Sequence, residues 1–306
     1  MASVTLAESA KLTQNQLVAG IIENTITVDR FFEILPFDGI EGNALQYNRE
    51  NVLGDAQALG VAGTVTATAA ATFTAVTTGL TTLLGQAEVN QLIEKTRSGS
   101  GNKQSAVQIA SKSKSVGRLY RNYLINGDGS GDTFAGVLAL CDASQKVTVD
   151  TDGENLSFEN LDNLIDLVTD KDGEVDYFQM HSRTLRAYLA LLRALGGASI
   201  NEVVTLPSGK TVPAYRNIPI FRNDWIPTDQ TVGATTTCTS VIAGTLDDGS
   251  RTVGLAGLTA EEEAGMVLEP VGISQTKDEF IWRVKWYCSL ALFSLRGLAI
   301  LPGVKN

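Results

Sequence analysis

The sequence contains a single histidine, His181. Any Ser-His-Asp or Cys-His nucleophilic site would have to use it, and no GxSxG elbow accompanies it. A lone histidine at the end of an expected strand reads as structural. Cysteine is nearly as scarce, with three residues at positions 141, 238 and 288. An odd number of widely spaced cysteines supports neither a disulfide framework nor a CxxC metal site, and fits a reducing compartment. Seven prolines exclude a proline-rich linker protein. Long apolar runs are missing too. The one uncharged stretch, Ala56 to Ala87, reads AQALGVAGTVTATAAATFTAVTTGLTTLLGQA. A spanning helix needs about 20 mostly apolar residues. A run full of hydroxyls suits a half-exposed hairpin better, so no membrane partner is expected. The start, MASVTLAESAKLTQ, has no basic stretch followed by an apolar one, so no signal peptide is expected.

What is present suits a globular protein. The 306 residues are 43% hydrophobic, enough for a real core, and 29 glycines indicate many turns. The net charge of −10 favours solubility. It argues against a general nucleic-acid binder, which needs an exposed basic surface. It leaves room for a protein that encloses nucleic acid without gripping it.

Thr5 to Asn24 reads as a helix, opened by the capping-box spacing of Thr5 and Glu8. Thr27 to Leu35 is a short segment stopped by Pro36, and turn and strand follow. From Gly60 to Gly85, Thr64, Thr66 and Thr68 alternate with small apolar residues. That is a period-two strand with weakly specified register, expected in a long two-stranded loop that must lie on something else. Gln104 to Ile125 is the clearest helix, with Ala106, Ile109, Val116, Tyr120 and Tyr123 at helical spacing. Further on, Ser157–Thr169 and a helix capped by Ser182, running through Leu195 to Gly196-Gly197, flank a short strand at Asp176–His181. Hairpins are expected across Pro207-Ser208-Gly209 and across Asp247-Asp248-Gly249. In EFIWRVKWY, Phe280, Trp282, Val284 and Trp286 alternate with mainly polar residues, placing both tryptophans on a core-facing side. LALFSLRGLAILP continues as strand after a bend.

Few stretches carry chemistry. In INGDGSGDTFAGVLAL, from Ile125 to Leu140, Asn126, Asp128 and Ser130 fall on the first, third and fifth positions of a calcium loop. Position 12 is Val137, where the bidentate glutamate belongs. Calcium binding through Asp128 and Asp132 stays open as a rival to a plain turn. The SGKT at 208–211 lacks the leading glycine of a phosphate loop. Residues 98–103, SGSGNK, read as a hinge ahead of the helix. Glu261-Glu262-Glu263 reads as a solvated turn or a helix start. No catalytic, cofactor or metal residue is assigned. From Lys95 to Arg121 there is no acidic residue, and Lys95, Arg97, Lys103, Lys112, Lys114, Arg118 and Arg121 form a basic island. Contact with nucleic acid or an acidic partner would account for it, and so would a solvated face or pairing with carboxylates of the same fold.

The order of these parts resembles the HK97-fold major capsid proteins of tailed double-stranded DNA phages. In that family a long spine helix commonly ends in a glycine-rich turn of the form nGdG…GiL, matched here by INGDGSGDTFAGVLAL. The resemblance implies an α+β fold with an N-terminal arm over 1–45 and an extended β-hairpin loop over 46–90. A peripheral domain with the spine helix would follow over 91–140, then a mixed α/β axial domain over 141–265. C-terminal strands over 266–306 would close the sheets. It implies a structural protein without enzymatic activity or cofactor, assembling through pentamers and hexamers into an icosahedral shell. A separate scaffolding protein, a portal and a decoration protein would be partners, with packaged DNA held without sequence-specific contact. The place would be the virion, assembled in the host cytoplasm. The expected subunit-interface residues are Lys95, Arg97, Lys112, Lys114, Arg118 and Arg121 on the island, and Thr64, Thr66, Thr68 and Phe73 on the loop. The alternative is an encapsulin-type nanocompartment, which resembles the same fold and packages an enzyme.

Overall fold

The computed structural model describes residues 30–97, 103–170, 173–195, 203–263 and 265–305. The helix expected over Thr5–Asn24, the hinge at Ser98–Gly101 and the Gly196-Gly197 stop lie outside the described residues.

One long strand organises the first half of the fold. β13 (Glu279–Leu292) alternates apolar and polar side chains, then is buried on both faces from Cys288 onward. β4 (Thr81–Asn90) pairs along one edge of it, antiparallel, with Trp286 opposite Leu83. Its other edge is shared. β12 (Val267–Ile273) takes the outer half and β11 (Leu255–Ala260) the inner half, and β1 (Phe37–Ile40) adds to β11 in parallel.

Across this sheet lies the long helix α2 (Gln104–Asn126). Val116, Tyr120 and Leu124 recur every fourth residue on one face and are buried. Tyr120 meets Trp286 with ring centroids 4.3 Å apart. The helix comes this close because residue 85 of β4 is glycine. A Cβ there would lie 3.2 Å from Val116 Cγ2 and 3.4 Å from Lys112 Cβ. No side chain of Lys103 caps the helix start. Instead Glu94, on the short helix α1 (Gln91–Arg97), accepts from the Ser105 amide at 3.1 Å and its hydroxyl at 2.9 Å. A carboxylate there also meets the positive end of the helix dipole.

The second sheet has seven strands. Its core is β14 (Leu298–Val304), β10 (Thr235–Gly244), β5 (Tyr177–Met180) and β8 (Ile218–Arg222), with β5 and β8 parallel. β7 (Thr211–Tyr215) and β6 (Val203–Thr205) extend one side, and β9 (Gln230–Val232) pairs β10. Both faces of its centre are covered, so side chains on both sides of β5, β8, β10 and β14 are largely buried. Tyr177, Phe221, Ile242 and Ile300 face the core shared with α2 and β13. Phe178, Ile220, Val241 and Leu301 face the helices α4 (Phe158–Thr169) and α5 (Ser182–Ala194). A four-residue helix, α3 (Val137–Leu140), links α2 to this half.

Four expectations are corrected. The Thr64–Thr68 stretch is not a strand; the hairpin pairs β2 (Ala44–Val52) with β3 (Thr72–Gly79). β10 and β11 do not form a hairpin across Asp247-Asp248-Gly249. They join different sheets and are linked only by a parallel bridge from Leu246 to Leu255. The backbone turns away at Gly254, whose φ of +95° suits glycine and whose Cβ would strike the Leu246 carbonyl group. His181, not Ser182, caps α5. Trp286 is buried but Trp282 is only half-buried, packed on Phe280 at 5.0 Å.

Candidate assembly surfaces

The β2–β3 hairpin leaves the body at one anchored point. Tyr47 donates its hydroxyl to the Leu292 carbonyl at 2.9 Å and meets Phe293 edge-on at 5.2 Å. Arg49 donates through Nε to the Phe293 carbonyl at 3.0 Å. Beyond it exposure rises. Val52, Leu53, Leu59, Val65 and Phe73 are all exposed, and Val61 is 105% exposed, as bare as a free peptide. Between the strands, residues 53–71 gain order from Gln57. Its Oε1 accepts from Thr66 N at 2.8 Å and Ala67 N at 2.6 Å, and its Nε2 donates to Thr64 O at 3.0 Å. One side chain thus does the work of an absent strand partner. Thr64, Thr66, Thr68 and Phe73 sit together on this exposed apolar arm.

The basic residues do not form one surface. Lys95 is exposed on α1, and Arg97 is that helix's last residue. Lys112 and Lys114 are half-buried on α2. At about 100° per residue, Lys114, Arg118 and Arg121 share a stripe roughly 60° wide and Lys112 falls on the other side. Arg118 and Arg121 turn toward the same fold. The guanidinium of Arg118 lies 5.1 Å from the Trp225 ring centroid, and that of Arg121 lies 5.8 Å from Phe32.

The glycine-rich turn after α2 is a stereochemical device. Gly127 N donates to Tyr123 O at 2.9 Å, and Gly136 N donates to Gly127 O at 2.8 Å. A Cβ on Gly127 would fall on the Phe134 carbonyl oxygen, and one on Gly136 on the Tyr123 carbonyl oxygen. Asp128 closes the turn from inside. Its carboxylate accepts from Ser130 Oγ at 2.6 Å, Ser130 N at 3.1 Å and Thr133 Oγ1 at 2.5 Å. Those bonds, from Ser130 first, hold it well below the usual carboxylate range. The Asp128 oxygens that a calcium ion would need are engaged inside the turn. No group of three or more His, Cys, Asp or Glu able to hold a metal occurs among the described residues.

His181 works as a cap. Its Nδ1 accepts from the Arg183 amide at 3.1 Å, and its Nε2 lies 3.9 Å from Asp224. Burial pushes its pKa below 6.5; Asp224 opposes that, and Arg183, Arg222 and Arg186 reinforce it. The three cysteines are buried, and burial raises the Cys141 thiol to about 11 and the Cys288 thiol to about 12. Neither is a thiolate nucleophile at neutral pH. No described helix is long and apolar enough to cross a membrane.

Two half-domains sharing one core, a long helix ending in a tight glycine turn, and a projecting hairpin form a shell-subunit architecture. A family profile described as type 2A encapsulin shell protein, SrpI-like, matches residues 130–305. The chain belongs to this SrpI-like family. The matched span begins inside the glycine turn and takes in the whole seven-stranded sheet. No curated protein matches by sequence.

Solved structures extend the likeness to the hairpin and α2. The holo-SrpI encapsulin complex from Synechococcus elongatus PCC 7942 superposes with a TM-score of 0.73 at 19% identity, covering 99% of this chain and 96% of that one. The capsid of a native GTA particle gives 0.69 at 15% identity, covering 99% of both chains. The Cyanophage A-1(L) capsid gives 0.67 at 11% identity, covering 97% of this chain and 99% of that one. Identities this low carry the fold alone. That fold is the HK97-type capsid fold, and an SrpI-like chain is a shell-forming structural protein, not an enzyme.

Proposed function

We propose that copies of this chain assemble into a closed encapsulin compartment that encloses a protein cargo. The observation that carries this reading is the SrpI-like match over residues 130–305. That match supports the encapsulin, weighed as the alternative from the sequence, over the phage capsid. On this reading the chain's main partners are its own copies, in five- and six-fold rings. The scaffold, portal, decoration protein and packaged DNA belong to the phage reading, as does a virion location.

The hairpin supplies the physical reason for assembly. Exposed Leu53, Val61 and Phe73 cannot bury themselves on their own subunit. Covering them on a neighbour removes apolar surface from water, at about 25 cal/mol per Å2. Thr64, Thr66 and Thr68 would lie in the same contact. Lys95, Arg97, Lys112 and Lys114 supply charge on α1 and α2 for a neighbour's acidic surface. Many such contacts close together, and their linkage turns modest affinities into a stable shell. The division into arm, loop, peripheral and axial regions is part of this proposal.

The test is the content of purified particles. Particles isolated from the native cell, treated with nuclease and opened, are expected to yield one dominant protein besides the shell chain. Nuclease-protected DNA of defined length, with no such protein, would return the chain to the phage reading.

A further inference from the structure

Where α2 meets the second sheet, the molecule holds a cleft of about 690 Å3. Its walls come from both halves of the fold. Arg118 and Arg121 reach it from α2, Arg30 from the start of the described chain, and Arg222 from the end of β8. Among the described lining residues four arginines face a single carboxylate, Asp224. That is a local reversal of sign in a chain whose net charge is −10.

Arg118, Arg30 and Arg222 keep donors to offer. The Arg118 guanidinium carbon lies over the Trp225 ring, 5.1 Å from its centroid, and a cation–π contact engages the charge without using up the five N–H donors. Arg30 commits Nη1 to the Thr211 carbonyl at 2.9 Å. Arg222 commits Nε to Asp224 at 2.7 Å, with Nη2 on the same oxygen. Val212, Ile220 and Phe221 form an apolar floor, which lowers the local dielectric and strengthens each charge-assisted bond. The volume matches pockets that take small molecules, about 300–1,000 Å3.

We infer that this cleft binds a polyvalent phosphate anion, free or carried on a small organic molecule. Guanidinium forks fit phosphate oxygens in pairs, and a ligand with two or more phosphoryl groups could engage several of these arginines at once. Bound there, the ligand would tie α2 to the second sheet. The inference stands independently of what the shell encloses.

The experiment is isothermal titration of the purified full-length protein with sodium pyrophosphate and, separately, with adenosine diphosphate at low salt. Saturable binding of at least one is expected, with dissociation constants of about 100 μM or tighter. Arg222→Ala and Arg30→Ala are each expected to weaken it about tenfold, with folding checked by circular dichroism. Arg222 has a largely exposed side chain, 63%, so its removal leaves the core intact. Equal affinity for both ligands means the site reads phosphates alone, and tighter diphosphonucleoside binding means the apolar floor is used as well. No saturable heat with either ligand up to about 5 mM, or undiminished binding in both variants, overturns the inference.

Discussion

The hydroxyl of Tyr47 donates to the carbonyl oxygen of Leu292 at 2.9 Å, across 245 residues of sequence. That bond fixes the base of the hairpin to the end of β13, in the strand that carries most of the first sheet. The arm is therefore rigidly aimed at its root while its apolar tip has nothing of its own to cover. Tyr47→Phe removes the bond and leaves the ring against Phe293. It is expected to cost about 1 kcal/mol of stability, read from urea unfolding, because one of two side-chain donors on that carbonyl is lost and Arg49 Nη2 alone remains of the two. A change under a few tenths of a kcal/mol would mean the anchor is Arg49 alone.

The tip is expected to matter for assembly and not for folding. The double change Leu53→Asp with Val61→Asp places charge on side chains that the subunit leaves exposed. The melting temperature of the dissociated subunit should stay within about 2 °C of the parent, as for surface changes generally. Closed particles, counted by electron microscopy and light scattering, should be lost. Normal particles from this variant would remove the hairpin from the interface.

Arg118 joins the two halves of the fold. Arg118→Ala takes its guanidinium off Trp225 and is expected to lower stability by about 1 kcal/mol, the scale of a partly screened cation–π contact. Urea unfolding of the subunit checks this. The double reversal Arg118→Glu with Arg121→Glu should harm folding together with assembly, because both cations sit over rings of their own chain.

Acid should loosen the glycine turn. The folded Asp128 carboxyl titrates well below its ordinary value of 3.8, so its hydrogen bonds stabilise the folded state above that value and are lost as pH falls through the lower folded one. Asp142 and Asp248, each held down by hydrogen bonds from a nearby serine, act with the same sign. The urea midpoint of the parent is expected to drop between pH 5 and pH 3, and Asp128→Asn should show a smaller drop from a lower start. An unchanged slope in Asp128→Asn would assign the acid loss to other groups.

Gly136→Ala should be severe, because its methyl group meets a backbone oxygen that cannot move without breaking the end of α2. A loss of about 3 kcal/mol or failure to fold is expected. Gly131→Ala is the control. It meets no neighbour and carries only the cost of a φ of +60°, on the order of 1 kcal/mol. Soluble yield and thermal melting of the pair separate contact from strain.

Much of this fold was legible in the sequence, and the failures have physical causes. α2 was readable because Val116 and Tyr120 repeat at helical spacing. The helix over Ser157–Thr169 was readable from its apolar spacing, though not its cap, the Ser157 oxygen that accepts from the Asn160 amide at 3.1 Å. The hairpin register was not, because threonine and alanine on both faces of Thr64–Thr68 say nothing about which side is buried. Asp247-Asp248-Gly249 has the local chemistry of a hairpin turn, but the two flanking strands are claimed by different sheets. Arg118 and Arg121 looked like part of a solvent-facing basic island, since no pattern in a single chain reveals which rings a long cation will cover. The cleft was invisible for a related reason: its four arginines come from positions 30, 118, 121 and 222 and meet only in the fold. The choice between phage capsid and encapsulin lay beyond motif reading, because one fold serves both.

The most direct test of the account is negative-stain electron microscopy of the full-length chain expressed alone, with light scattering of the same sample. The account predicts closed, uniform shells formed without any added protein. A clean monomer at high concentration would contradict it.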